Sequence, residues 1–365
     1  MGIGDMSAIL GATNLNAPSL SHGGDIEAWQ RQQIEAQNWL DLSSACNREP
    51  WPIPNLKPEL WLALPDQTAL SETAAHYYGV HPTAITSGSQ QIIEALPILK
   101  REALKIENKR VYVPHIGYQE HAFAWQKWGY EVIYYQQTSQ LLNASWAVAV
   151  LIQPNNPSAE WTDQTLLDSL IQRAEQQGAW LVVDEAFVDV EPEQSVLKKF
   201  KQESWPMGLF VMRSVGKFFG LAGARVGFVF SHAQWQQSIN NLIGPWPVST
   251  ASLHLVSLAL QDTVWQGSAR KQLLARQAAF IEKVLPKFNT IFDSQDYVLH
   301  PLFTTWQLVD QCYAEQVFAM LHQVGVHTRL GEGWIRVAMP AMTELAELNN
   351  SLVRLLKGAG GRELA

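Results

Sequence analysis

The sequence predicts an α/β protein in which a mainly parallel central sheet is covered by helices on both faces and followed by a smaller α+β unit. Three observations carry that expectation. Runs over 146–152, 179–183, 209–212 and 226–230 are apolar almost throughout and too short for helices, which suits strands buried on both faces. Segments with apolar residues at helical spacing alternate with them, the arrangement that yields a parallel sheet. The chain of 365 residues also exceeds the ~100–200 residues of one ordinary domain, and 47% hydrophobic against 16% charged residues supplies a sizeable core.

The elements follow in order. The first forty residues are polar and Gln-rich and read as an arm, with a turn at His22-Gly23-Gly24 and a helix over 26–39. Prolines at 50, 52, 54, 58 and 65 disfavour a continuous helix and predict an extended connection. A helix over 70–78 comes next. A strand over 84–86 runs into Ser87-Gly88-Ser89, which opens a helix over 90–99 marked by Ile92, Ile93, Leu96 and Leu99. A short strand at 111–113 and a helix near 119–128 precede the strand over 146–152. Pro154-Asn155-Asn156-Pro157 then turns the chain into a helix over 163–177. Beyond Gly244-Pro245-Trp246 a long helical region covers 251–284, and strands near 303–308 and 334–337 flank a helix around 314–323. Leu345, Leu348, Leu352 and Leu355 mark a closing amphipathic helix. The expected division is 1–49 as arm and part of the small domain, 50–245 as large domain and 246–365 as small domain.

Composition narrows the function. Lys plus Arg number 26 against 34 Asp plus Glu, a net charge of -8, so a broad footprint for nucleic acid or an anionic membrane is not expected. Any anion is held at a point. Two cysteines, Cys46 and Cys312, fit a reducing compartment better than a disulfide framework. The start lacks a basic flank before an apolar stretch and no run of 18 apolar residues occurs, so neither export nor membrane spanning is expected. A cytoplasmic protein is the expectation. Fifteen tryptophans name no activity by themselves.

In open α/β sheets ligands sit beyond the carboxyl ends of the strands, and four polar groups follow apolar strands here. Ser87-Gly88-Ser89-Gln90 is either a plain helix cap or a phosphate site built from free N–H groups. Asn155-Asn156-Pro157 is either a turn or an amide held beside a ligand across a cis bond. Asp184, closing an apolar run, is either half of a structural salt bridge or the partner of a cationic ligand atom. Arg213-Ser214-Val215-Gly216-Lys217, with Arg225 eight residues beyond Lys217, offers an amine nucleophile, a hydroxyl and a guanidinium, although surface exposure is the commoner fate of a lysine. Together they form the inventory that pyridoxal phosphate needs: an amine for a Schiff base, an acid for the ring nitrogen, an amide for the ring oxygen and a phosphate cup.

These residues resemble those of the fold type I, aspartate-aminotransferase-like enzymes that depend on pyridoxal 5'-phosphate, over nearly the whole chain. The stretches at 154–157, 182–187 and 213–227 are similar to the signature segments of the histidinol-phosphate aminotransferase branch. Within it, His22-Gly23-Gly24, the stretch 39–43 before Asn47, and those at 120–125, 216–220 and 244–249 resemble the threonine-phosphate decarboxylase family of cobalamin biosynthesis. The resemblance implies that Lys217 carries the cofactor, Asp184 meets its ring nitrogen, Asn156 its ring hydroxyl and Tyr118 its ring face. It implies that Gly88, Ser89, Gln90, Ser214 and Arg225 hold the cofactor phosphate. Arg336 would clamp the substrate carboxylate, and His22 and Asn47 would lie near the substrate phosphate. No metal is implied.

The resemblance also implies a homodimer, a small phosphorylated amino acid as substrate, and loss of its carboxylate as carbon dioxide. There are departures: Phe187 stands where a Tyr is frequent, Leu64 where a Tyr often reaches the neighbouring subunit, Gly216 where a Ser is common and Arg48 where a Pro is usual. The turn 114–118 is two residues longer than usual, and Tyr118 is its last residue. Decarboxylation and transamination differ in substrate pose rather than in residue inventory, so an aminotransferase of the histidinol-phosphate type stays open. So does an acyl-serine hydrolase, on Ser214-Val215-Gly216-Lys217 and Ser238-Ile239-Asn240, although no Lys-Thr-Gly follows. His115 and His121 are expected to be structural.

Overall fold

The computed structural model describes residues 23–24, 26–30, 39–103 and 108–359. They form two compact units. Unit 1 comprises Pro52–Gly216 and Leu221–Asp262; unit 2 takes the described residues of Ser21–Trp51 and Thr263–Ala365, together with Lys217–Gly220. The C-terminal change of unit falls at Asp262 rather than at 245. Its cause is local: helix Thr250–Gln261 packs in unit 1 against helix Thr68–Tyr78, where the Ser257 and Thr73 hydroxyls meet at 2.9 Å.

Strands are numbered along the chain. The first, β1 (Leu40–Asp41), belongs to unit 2. Unit 1 holds β2 (Ala84–Thr86), β3 (Arg110–Pro114), β4 (Glu131–Tyr135), β5 (Val148–Ile152), β6 (Trp180–Asp184), β7 (Leu209–Ser214) and β8 (Gly227–Phe230). They form one sheet in the order β2-β8-β7-β6-β5-β3-β4. Strands β3 to β7 are parallel, and β8 alone is antiparallel to both of its neighbours. Every position of β5 and β6 is buried, which requires cover on both faces and explains their continuous apolar sequence. One face carries Ile92, Leu96 and Leu99 of helix Gly88–Ala103 against Val111, Val148 and Val182. Helix Gln164–Gln177 starts where the Asp163 carboxylate accepts from the N–H groups of Thr165 and Leu166, and it ends at Gly178 with φ 60°. The edge strand β4, unanticipated from the sequence, is only half-buried, so its apolar pattern is diluted.

Unit 2 holds a second sheet, of β9 (Tyr297–His300), β10 (Phe303–Gln307), β12 (Arg329–Gly331) and β13 (Trp334–Ala338), in the antiparallel order β12-β13-β10-β9. The short β11 (Val326–His327) pairs in parallel with β1. One face of the four-stranded sheet carries Trp306, Ile335 and Val337 into a core with Phe288, Leu348 and Leu352. The register places Arg329, Arg336 and Thr305 in one row on the opposite face. The helical region expected over 251–284 consists of two helices that meet at Asp262, Thr250–Gln261 and Thr263–Lys283.

Candidate active site

In unit 1 the chemistry gathers at the carboxyl ends of β5, β6 and β7. Asp184 ends β6 and is 4% exposed. Its Oδ2 lies 3.0 Å from His121 Nε2, and its Oδ1 accepts from the Ala186 N–H at 3.0 Å. His121, expected to be structural, is the fixed neighbour of the carboxylate. Tyr118 Oη donates to Gln90 Oε1 at 3.2 Å, and Gln90 Nε2 donates to Glu120 Oε2 at 2.8 Å. The Tyr118 ring stands edge-on to His121, 6.3 Å between centroids. Gln90, Tyr118, Glu120, His121 and Asp184 thus form one chain of contacts, of which Glu120 and His121 were not named as site residues from the sequence.

The loop after β5 contains two cis bonds, Gln153–Pro154 and Asn156–Pro157. Asn155 Nδ2 donates to Ile116 O and Ser158 Oγ, each at 2.8 Å, which ties this loop to the Tyr118 turn. Gly117 is needed at that junction, because a Cβ there would approach Pro114 Cγ to 2.8 Å. Asn156, assigned by resemblance to the ring oxygen, is half-buried beside it.

Around the start of helix Gly88–Ala103 the residues form a cradle. A Cβ on Gly88, whose φ is +70°, would stand 2.9 Å from Arg225 Nη2, so the glycine is what lets the guanidinium approach the helix N-terminus. Arg225 itself has φ 51°, an uncommon conformation for a side chain of this size. Gly227 allows β8 to meet the same helix start, since a Cβ there would lie 2.9 Å from Ser89 N. It pairs with Ser214 across β7 and β8, and Ser214 Oγ accepts from Gly216 N–H at 3.2 Å. Ser89 Oγ is buried with no hydrogen-bond partner. An orphaned hydroxyl, unpaired helix N–H groups and a guanidinium at one point fit a phosphate.

Beside the same strand ends is a buried ion network. Glu185 and Asp189 are fully buried and both meet Arg213, through Nη1 to Glu185 Oε2 at 3.1 Å and through Nη2 to Asp189 Oδ1. Ser195 Oγ at 2.5 Å and Val196 N–H at 2.7 Å complete the shell of Glu185. Burial raises the Glu185 carboxyl above its ordinary range, against the pull of Arg213.

Unit 2 holds Lys217, half-buried three residues beyond the end of β7, and the substrate-side candidates. Arg336 Nη2 donates to Ser43 O at 2.6 Å, and its guanidinium lies 5.7 Å from the Phe303 ring. Burial pushes Arg336 down to about 9, and the charge of Arg329 adds to the effect. Arg329 faces Arg336 across β12 and β13 and was missed from the sequence. Its signal was available: Gly331-Glu332-Gly333 reads as a hairpin turn that pairs 329 with 336. Gly24 N–H donates to Ser43 Oγ at 2.7 Å, bringing the glycine pair of the arm to the residue that holds Arg336. His22 lies outside the described residues.

Asn47 departs from the expected substrate role. It is 4% exposed, its Nδ2 donates to Phe218 O at 3.0 Å and its Oδ1 accepts from Arg276 Nη2 at 2.6 Å, so the structure engages it inside the unit. The expected departure at Arg48 also has a structural use, a two-point contact with Glu344 at 2.6 and 2.5 Å. Among the described residues no group of three or more His, Cys, Asp or Glu side chains is placed to hold a metal ion.

Residues 63–355 match the model of the class I and II aminotransferases, and the chain belongs to that family. Pyridoxal 5'-phosphate is the family's cofactor, and the cradle at Gly88, Ser89 and Arg225 fits its phosphate. Within the family the chain is 36% identical to a threonine-phosphate decarboxylase of Pseudomonas aeruginosa, over 70% of this chain and 75% of that protein. It is 33% identical to one from a Sinorhizobium species, over 68% and 73%. The fold is similar to that of a histidinol-phosphate aminotransferase from Sinorhizobium meliloti solved with pyridoxal 5'-phosphate, with a TM-score of 0.71, 17% identity and 94% and 97% of the two chains covered.

Proposed function

We propose that the protein decarboxylates L-threonine O-3-phosphate to (R)-1-amino-2-propanol O-2-phosphate, for the side chain of cobalamin. The observation that carries the reading is the likeness to threonine-phosphate decarboxylases over two thirds of the chain. The pair Arg329 and Arg336 supports it. Like charges directly opposite on a sheet repel, and a substrate bearing both a carboxylate and a phosphate supplies an anion for each guanidinium.

When bound, pyridoxal phosphate supplies an electron sink for the pair of electrons left as carbon dioxide departs. Gly88, Ser89, Ser214 and Arg225 would anchor its phosphate, and Lys217 Nζ would be the amine that carries it. Asp184, oriented by His121 and the Ala186 N–H, would keep a proton on the ring nitrogen. Asn156 would meet the ring oxygen and Tyr118, its hydroxyl held by Gln90, would cover the ring. Arg336 would position the carboxylate, and Lys217 Nζ would donate one proton to the carbon from which carbon dioxide departs.

The protein acts in the cytoplasm as a homodimer. Exposed Trp61, Leu62, Leu64 and Trp246 support a second copy as partner, in segments joined by Gln67 Nε2 to Pro245 O at 3.3 Å and Thr250 Oγ1 to Ala63 O at 2.7 Å. The free thiols Cys46 and Cys312 support a reducing compartment, and no helix among the described residues is long and apolar enough to cross a membrane.

The test is turnover of L-threonine O-3-phosphate in deuterium oxide with no 2-oxoacid present. The amine is expected with one deuteron on the carbon that carried the carboxylate. A 2-oxoacid product without carbon dioxide would overturn the proposal in favour of an aminotransferase.

A further inference from the structure

The geometry points to Arg276 as a positioning residue for Lys217, acting through Asn47. The inference rests on Lys217 being the amine that carries the cofactor. Residues 47–51 run beside 217–220 within unit 2. Asn47 N–H donates to Lys217 O at 2.8 Å, Asn47 Nδ2 to Phe218 O at 3.0 Å and Trp51 N–H to Phe219 O at 2.9 Å. Three successive carbonyls, beginning with that of Lys217, are therefore held from one short segment. The chain turns at Gly220 with φ +69°, where a Cβ would come within 2.6 Å of Asn47 O and Pro50 Cβ. The lysine's main chain is clamped, which fixes where its amine can reach.

Asn47 is held in turn. Its Oδ1 accepts from Arg276 Nη2 at 2.6 Å and from Glu49 N–H at 3.1 Å. With the oxygen fixed by a cation, the amide can present only its Nδ2 to Phe218 O. Arg276 comes from helix Thr263–Lys283 and is 1% exposed. Beyond Asn47 it has a long ion pair, Nε to Glu49 Oε2 at 3.7 Å, and its Nη1 has no hydrogen-bond partner. Burial lowers its pKa from the ordinary arginine value. A guanidinium buried with so few bonds costs stability, and an apolar side chain of similar shape would fill the position at less cost. What Met or Leu there could not do is orient Asn47.

The test begins with borohydride reduction of the wild-type holoenzyme and peptide mapping. Label on a residue other than Lys217 overturns the assignment of that lysine and this inference with it. Given label on Lys217, Arg276→Met, Arg276→Lys and Asn47→Asp are compared with Lys271→Met, an exposed change on the same helix. Thermal midpoint, the pH titration of the cofactor's visible absorbance, and kcat and KM are read for each. Arg276→Met and Asn47→Asp are expected to shift the titration midpoint and lower kcat about 10- to 100-fold, the scale for a reacting group displaced by about 1 Å, with KM changed less than about twofold. Arg276→Lys recovers part of the loss, Lys271→Met has no effect, and the thermal midpoint of Arg276→Met is equal or higher. A wild-type titration and kcat in Arg276→Met would overturn the inference. So would a fall in kcat that merely follows the folded fraction while the titration stays put.

Discussion

Asp184 and Glu185 are neighbours in sequence and both are buried carboxylates, but Asp184 closes β6 and meets His121, whereas Glu185 follows the strand and meets Arg213. Glu185 is met by Arg213, Ser195 and the Val196 N–H, a shell made wholly of protein. Asp184 has His121 on one oxygen and a single main-chain N–H on the other. The difference separates two uses of a buried charge. Where protein partners fill the shell, the carboxylate holds strand ends together; where they leave room, it stays available to a cationic atom of a ligand.

The largest effect that would sharpen this comparison belongs to Asp184→Asn. It is expected to lower kcat by about 100- to 1,000-fold, the scale for a charge-stabilising contact in a dry site, while thermal stability stays near wild type. Equal losses of activity and folding would erase the distinction. In the ion network, Arg213→Met strands two buried carboxylates and is expected to cost about 3–5 kcal/mol in urea unfolding. A wild-type urea midpoint would show that the network carries no load. His121→Phe should lower kcat about 10- to 100-fold through a loosened Asp184, as for other groups that orient a reacting residue; unchanged steady-state kinetics would confine His121 to packing.

The smallest effect concerns a buried charge with no part in the site. Lys100 lies over Trp180, with Nζ 4.5 Å from the ring centroid, and burial pushes it from 10.5 down to about 7. A depressed lysine is neutral in the folded state and charged in the unfolded chain between those values. Stability from this group is therefore full above the unfolded value and is lost as pH falls through that window toward the folded one. Lys100→Met should raise Tm at pH 7, by about 2–4 °C for each kcal/mol relieved, and flatten the rise of Tm between pH 7 and 10. A slope like that of wild type would contradict the assignment.

The cradle at the start of helix Gly88–Ala103 was legible because its residues are tied to strand ends and to glycines. Gly88, Ser89, Ser214 and Arg225 meet at one point because β2, β7 and β8 are adjacent, and apolar runs announce β7 and β8. The arrangement in unit 2 was less legible because its residues depend on pairings that sequence does not state. Arg329 counts only once β12 is registered against β13, and β12 is short and half-buried, with little hydrophobic signal. Asn47 looked like a loop residue open to substrate, since nothing in the sequence links it to Arg276, which is 229 positions away. His121 was expected to be structural, and its contact with Asp184, 63 positions off, is a pairing the sequence does not state.

Release of carbon dioxide from carboxyl-labelled L-threonine O-3-phosphate tests the central claim most directly. One carbon dioxide is predicted for each amine formed, with no need for an amino acceptor. Amino transfer to 2-oxoglutarate with the carboxyl label retained in the product would contradict it.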